Sequence, residues 1–180
     1  RTEAFKESDH IIAISGSELG TTNPAAVEEL VTLAKEDQIA LLERCLANYR
    51  SSYKDFTCTF IKQEMIRGSL NQEQEISVKH IDEPFSVAMA WVKNAPLADR
   101  ILYVEGKNDN QMLVRPTGII LRALVGGYLA KPPDGPEAMQ STLRPVSLFG
   151  FERGLESLLE VYHKAQQAGD LKTEWGQFAE

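Results

Sequence analysis

At Tyr53 the hydrophobic period of the chain changes from 3.6 residues to 2, and the shorter period holds as far as Arg115. Asp55-Phe56-Thr57-Cys58-Thr59-Phe60-Ile61-Lys62-Gln63-Glu64 alternates and is rich in Thr and aromatic side chains, the composition of a half-buried strand. Gly68-Ser69-Leu70-Asn71 supplies a turn, and Glu73 to Ile81 alternates again with Ile76, Val78 and His80 on one side. Asp82-Glu83-Pro84 breaks that run. The next, Phe85 to Lys93, sets Phe85, Val87, Met89 and Trp91 on one face and Ser86, Ala88 and Ala90 on the other. Ile101 to Glu105 then reads as a strand, Gly106 to Asn110 as a hairpin loop and Gln111 to Arg115 as the returning strand. Strands joined by short polar turns can only pair antiparallel, because a parallel crossover needs a dozen or more residues. The chain therefore predicts a five-stranded antiparallel meander.

Helical periodicity flanks the meander. Asn23-Pro24 is a helix start: an Asn cap, then a Pro whose missing N–H costs nothing at the first helical position. Val27, Leu30, Val31 and Ala34 recur at helical spacing, and Ile39, Leu42, Cys45, Leu46 and Tyr49 continue the stripe. Asp37 can cap a second helix, so one bent helix or two short ones are both compatible with the pattern. Residues 1–22 lack periodicity and read as a flexible lead-in to a single domain spanning 23–180. After Pro116, Gly118 to Leu129 suits either a sixth strand bulged at Gly126-Gly127 or a helix ending there, with irregular extended structure preferred. A rigid loop over residues 131–136 and a short helix over Glu137 to Ser141 follow. Ser147 to Ala168 is amphipathic, with Leu148, Phe151, Leu155, Leu158, Leu159 and Tyr162 on one side and Gly169 in the C-cap position. Leu171 to Glu180 reads as the beginning of another strand. The fold class is α+β: a curved antiparallel sheet packed against amphipathic helices.

Charge and hydropathy exclude several functions. With 180 residues, a net charge of -7 and no basic stripe, the chain lacks the phosphate-neutralising surface a nucleic-acid binder needs. The same balance argues against a polybasic hold on anionic lipid headgroups. The longest apolar run, Gly118 to Leu129, is interrupted by Arg122 and is too short to span a bilayer, so no transmembrane segment is expected. The chain opens Arg-Thr-Glu-Ala-Phe without an initiator Met, as an exported protein does after its signal peptide is removed, though a piece of a cytosolic protein would begin similarly; export is the expectation.

Catalytic and metal-binding patterns are missing. His10, His80 and His163 fall in the lead-in, a strand and a helix, with no second ligand at metal-binding spacing. There is no nucleophile elbow, phosphate loop or dinucleotide fingerprint. The expectation is a non-catalytic protein without metal or cofactor. Apolar excess is the informative feature: Ile101-Leu102-Tyr103-Val104 and Met112-Leu113-Val114 are apolar on both faces, as is the Phe85 to Lys93 strand. A sheet with one wet face should alternate, so both faces are expected to be covered. Ordinary core packing explains this. So does a pocket for an apolar ligand lined by Phe85, Val87, Met89, Trp91, Ile101, Tyr103, Met112 and Val114. Cys45 shares the helical stripe with Leu42, Leu46 and Tyr49, and Cys58 shares a strand face with Phe56 and Phe60. In an oxidising compartment they could pair; free thiols are the alternative.

The order of elements, with Tyr49-Arg50-Ser51-Ser52-Tyr53 leading into the first strand, then Gly68-Ser69-Leu70 and Glu83-Pro84-Phe85-Ser86-Val87-Ala88-Met89-Ala90-Trp91, resembles the periplasmic lipoprotein-carrier (LolA/LolB-like) superfamily. Within it the chain looks closest to a bacterial domain family of unknown function, which Leu102-Tyr103-Val104-Glu105-Gly106-Lys107-Asn108 and Asp134-Gly135-Pro136-Glu137-Ala138-Met139 also resemble. The resemblance implies a half-open barrel closed by helices, with an apolar interior that takes a lipid or the acyl chains of a lipoprotein, in the periplasm. It also implies further strands after the long helix, so the sheet is expected to be incomplete at the C-terminus. Its open edge would accept a partner protein or a second copy. An interaction subunit of a larger envelope assembly is the alternative function.

Overall fold

A computed structural model describes residues 24–174. The lead-in expected over residues 1–22 and the end of the strand expected from Leu171 lie outside the described residues, and residues 171–174 form no strand. The described chain divides into two compact units, one of residues 24–41 with 173 and 174, the other Leu42–Lys172.

The first unit holds α1 (Pro24–Glu36) and the opening turn of α2 (Gln38–Ser52). Asp37 makes two helices of the stripe. Its N–H donates to the Leu33 carbonyl at 2.8 Å, closing α1, while its Oδ1 accepts the Ala40 N–H at 2.9 Å, capping α2.

The second unit is built on a sheet. β1 (Asp55–Lys62) is followed by a small hairpin of β2 (Met65–Ile66) and β3 (Ser69–Leu70), then by β4 (Gln74–Ile81), β5 (Ser86–Lys93), β6 (Ala98–Val104) and β7 (Met112–Pro116). The hairpin turns through Arg67 and Gly68, both at positive φ, the conformation that matches strand twist in a two-residue loop. β1, β4, β5, β6 and β7 pair in sequence order, all antiparallel, and β8 (Leu129–Lys131) joins the far edge. The sheet does not close, so β1 and β8 are its edges. This is an open, curved sheet of the predicted α+β class.

The segment 118–129 departs from the extended reading. Ile119–Leu124 is a helix, α3, and the chain then turns through Gly126 and Gly127, at φ 70° and 103°, to enter β8. Arg122 explains the preference. Its guanidinium donates to the Pro116 carbonyl at 2.8 Å and to Asp99 at 2.9 Å, which winds the segment back onto the end of β7.

The long helix starts later than predicted. Val146–Leu148 is a single 3-10 turn, Gly150 kinks the chain at φ 103°, and α4 runs Phe151–Ala168, ending in a left-handed Gly169. The position requires glycine: besides the positive φ, a Cβ at position 150 would lie 2.9 Å from Cε1 of the His80 ring. α2 and α4 meet through Tyr49 and Phe151, with ring centroids 5.8 Å apart, and through Arg50, which pairs with Glu152 and Glu156.

The core lies on one face of the sheet, here called inner. Ile76, Val78, Phe85, Val87, Met89, Tyr103 and Met112 are buried there, with Phe60, Trp91, Val146 and Phe149 packed against them. The outer face is less covered than the apolar excess implied: Val92 and Leu102 are exposed, and small residues such as Ala88 and Ala90 occupy much of the rest. The packed stripe of α2 is Leu42, Leu46 and Tyr49; Cys45 stands off it, exposed, and Cys58 is a second exposed thiol, both free in this structure.

Candidate ligand-binding cavity

Period-2 alternation aims one set of side chains at the inner face: Phe60 and Lys62 from β1, Gln74 and Ile76 from β4, Met89 and Trp91 from β5, Ile101 from β6, Met112 and Val114 from β7. A register shift between Ala98 and Arg100 breaks the alternation in β6, so Ala98 joins Ile101 on the inner face while Asp99 pairs with Arg115. Opposite these strands run residues 137–150 and Gly154 of α4. Between the two walls is a cavity of about 540 Å³.

The cavity has polarity across the sheet. At the β1 edge Lys62 Nζ lies 2.8 Å from Glu64 Oε2 and donates to Thr142 Oγ1 at 3.3 Å. Glu64 Oε1 accepts the Leu143 N–H at 3.2 Å. Arg144 lines the same end and has no ion-pair partner among the described residues. Next along, the indole N–H of Trp91 donates to Gln74 Oε1 at 2.8 Å, which satisfies two polar groups inside an apolar wall. Toward β7 and β8 the lining is Ala98, Pro116, Leu121 and Leu129, and the cation on that side, Lys131, is matched by Glu137 at 2.6 Å.

Of the residues singled out in the sequence, Met89, Trp91, Ile101, Met112 and Val114 line this cavity. Phe85, Val87 and Tyr103 share the face but not the cavity. They sit toward the opposite end of the strands, where the entry into α4 packs down. Val87 and Tyr103 are closed in the core, with the Tyr103 hydroxyl donating to Asn110 at 2.9 Å, and the Arg153 guanidinium lies 3.6 Å from the Phe85 ring centroid. The face was legible from alternation, but how much of it stays open depends on where the 137–150 segment crosses. That segment also supplies the lining that sequence reasoning missed, Ala138, Arg144, Val146 and Phe149, and it carries no periodicity to announce it.

A second, polar cleft of about 460 Å³ opens over the other end of the sheet, lined by Arg50, Lys54, Asp82, Glu83, Glu152 and Arg153 among others. His80 forms its floor. Nε2 donates to Asp82 Oδ1 at 2.7 Å, and Asp82 also accepts from the Tyr49 hydroxyl at 3.3 Å. Burial, and after it the Asp82 charge, push that hydroxyl above the usual tyrosine range. Nδ1 of His80 is buried with no hydrogen-bond partner among the described residues. The rings of Phe56, Phe85 and Phe149 surround the imidazole. Among the described residues no group of His, Cys, Asp and Glu side chains is arranged to hold a metal ion, and no helix is long and apolar enough to cross a membrane.

An open antiparallel sheet with the 137–150 segment and α4 over its inner side, holding a cavity between them, defines an α+β protein with an open, curved sheet. Residues 53–179 match a family described as proteins of unknown function (DUF1571), and the chain belongs to that family. No curated protein and no solved structure matches it.

Proposed function

We propose that this protein binds an apolar ligand, a lipid or the acyl chain of a lipoprotein, in the cavity on the inner face of its sheet, and that it does so as a non-catalytic protein of the bacterial envelope. The cavity carries the proposal. About 540 Å³ of space bounded largely by Ile76, Met89, Trp91, Ile101, Met112 and Val114 is left unfilled by the protein's own side chains, whereas close-packed interiors hold few voids larger than a water molecule. Its size falls within the range of small-molecule sites. Two methionines in the wall suit a ligand of variable shape. The resemblance of the strand sequences to the lipoprotein carriers supports both the ligand class and the exported location.

The test is native mass spectrometry of gently purified protein, followed by organic extraction and lipid analysis. Lipid at defined stoichiometry in the wild type, lost on Trp91→Asp, is the expected result. A bare protein that also fails to take up added lipid would remove the reading.

A second reading, an interaction subunit of a larger envelope assembly, draws on a different observation. Ile119, Ile120 and Leu124 of α3 are each about 80% exposed, an unusual cost in solvent for one short helix. Under this reading the Ile119→Ser/Ile120→Ser/Leu124→Ser variant keeps its stability and releases a partner chain that co-purifies with the wild type. If no partner is present in either preparation, this reading falls.

A further inference from the structure

We infer that the cavity's ligand is a single-chain amphiphile with an anionic head, and that Arg144, with Lys62 beside it, receives the head at the β1 edge while the tail runs toward β7 and β8. This rests on the apolar-ligand reading and adds to it the chemistry of one end. A site for a bare hydrocarbon has no use for ions in its wall, and the Lys62 and Glu64 side chains here are largely drawn out of water, at a free-energy cost that the tail cannot return. Here the ions are segregated rather than scattered. Lys131 on the β8 side is cancelled by Glu137 at 2.6 Å, so the tail end is neutral overall.

The β1 end is not neutral. Lys62, Arg144 and Glu64 line this end, and the one carboxylate among them is already engaged by Lys62 and by the Leu143 N–H. One positive charge is therefore left over, in a chain whose net charge is -7. The segment that carries it is tied in place. Lys62 donates to Thr142 Oγ1, and the Thr142 hydroxyl donates to the Arg144 carbonyl at 3.1 Å. These bonds fix the loop against the end of β1 while leaving the Arg144 guanidinium without an ion-pair partner among the described residues. A planar guanidinium matches a carboxylate in two parallel hydrogen bonds. A long-chain carboxylate is thus the simplest occupant: tail against Met89, Ile101 and Val114, head on Arg144.

Isothermal titration of delipidated protein tests this, with palmitate and the alcohol of the same chain length as probes, both below their aggregation limits. The expected result is palmitate binding at least about tenfold tighter than the alcohol, the scale of one charge-assisted hydrogen bond. Arg144→Gln should erase the difference and Arg144→Lys should keep part of it. Arg144 is exposed, so these variants leave the core intact. Equal binding of both probes by the wild type would overturn the head-group assignment and leave the apolar reading standing. A preference that survives Arg144→Gln would overturn the role of Arg144. Binding of neither probe would overturn the apolar-ligand reading and this inference with it.

Discussion

At the scale of single residues, two positions concentrate constraint. Gly150 is held at φ 103°, in contact with the His80 ring, where an added Cβ would sit 2.9 Å from Cε1. Gly150→Ala meets both a disfavoured backbone conformation and a ring boxed in by Phe56, Phe85 and Phe149, and should cost about 3 kcal/mol in urea unfolding. His80→Ala in the same chain should recover part of that loss, so the two changes will not add. Asp99 is the second position. Hydrogen bonding from Arg115, with Arg122 beside it, holds its carboxyl below the usual carboxylate range. A depressed acid stabilises the fold fully above its unfolded pKa, near 3.9, and loses that contribution as pH falls through the folded value. Asp99→Asn should therefore lower the Tm by a few degrees at most, since the pairs are partly exposed. The gap to wild type should hold from pH 8 to 5 and close below pH 4. A gap that does not narrow at all as the pH is lowered from 5 would mean that Asp99 acts through packing and not charge.

At the scale of elements, what the sequence made legible follows from what each signal depends on. The meander was readable because period-2 alternation and short polar turns are local, and the strands β1 and β4 to β7 fall within a few residues of the alternating runs. The split at Asp37 was half legible: Asp is a good cap, but only the Ala40 N–H to Oδ1 bond decides for two helices. Asp37→Ala should destabilise the start of α2 by about 1 kcal/mol and Asp37→Asn by much less, read by hydrogen exchange of the Ala40 amide. α3 was half legible: a helix ending at Gly126-Gly127 was one of the two alternatives, but extended structure was preferred because six residues are too few for a helical stripe. What holds them is Arg122 reaching the Pro116 carbonyl and Asp99, a contact between elements that no window of sequence contains. The late start of α4 has the same origin, since the glycine that delays it answers to a histidine far away on β4. Within the cavity, the lining side chains of β5 to β7 were named from alternation, while Phe60, Lys62, Gln74 and Ile76 of β1 and β4 were not assigned to a pocket. Nor was Arg144, since its place depends on a loop tied to Lys62 through Thr142.

At the scale of the whole molecule, an unfilled cavity ties stability to occupancy. A ligand that binds only the folded chain stabilises it by RT ln(1 + [L]/Kd), about 2.7 kcal/mol at a hundredfold excess over Kd. The ligand-free protein, by contrast, forgoes the dispersion contacts that filler atoms would make against Ile76, Met89 and Val114. Ala138 faces this space from the crossing segment and packs against the core without being part of it. Ala138→Phe should therefore act in opposite directions on the two states. Without ligand it should raise the Tm, because the added ring enters existing space rather than forcing the strands apart. With palmitate it should abolish the further rise that the wild type shows, because ring and tail compete for one volume. Thermal scans of both proteins with and without palmitate give all four values. An unchanged ligand-induced shift in the variant would place binding elsewhere on the molecule. A fall in the ligand-free Tm would mean that the wall cannot accommodate a rigid ring, and a cavity so unyielding would select its ligands by shape as well as by their apolar surface.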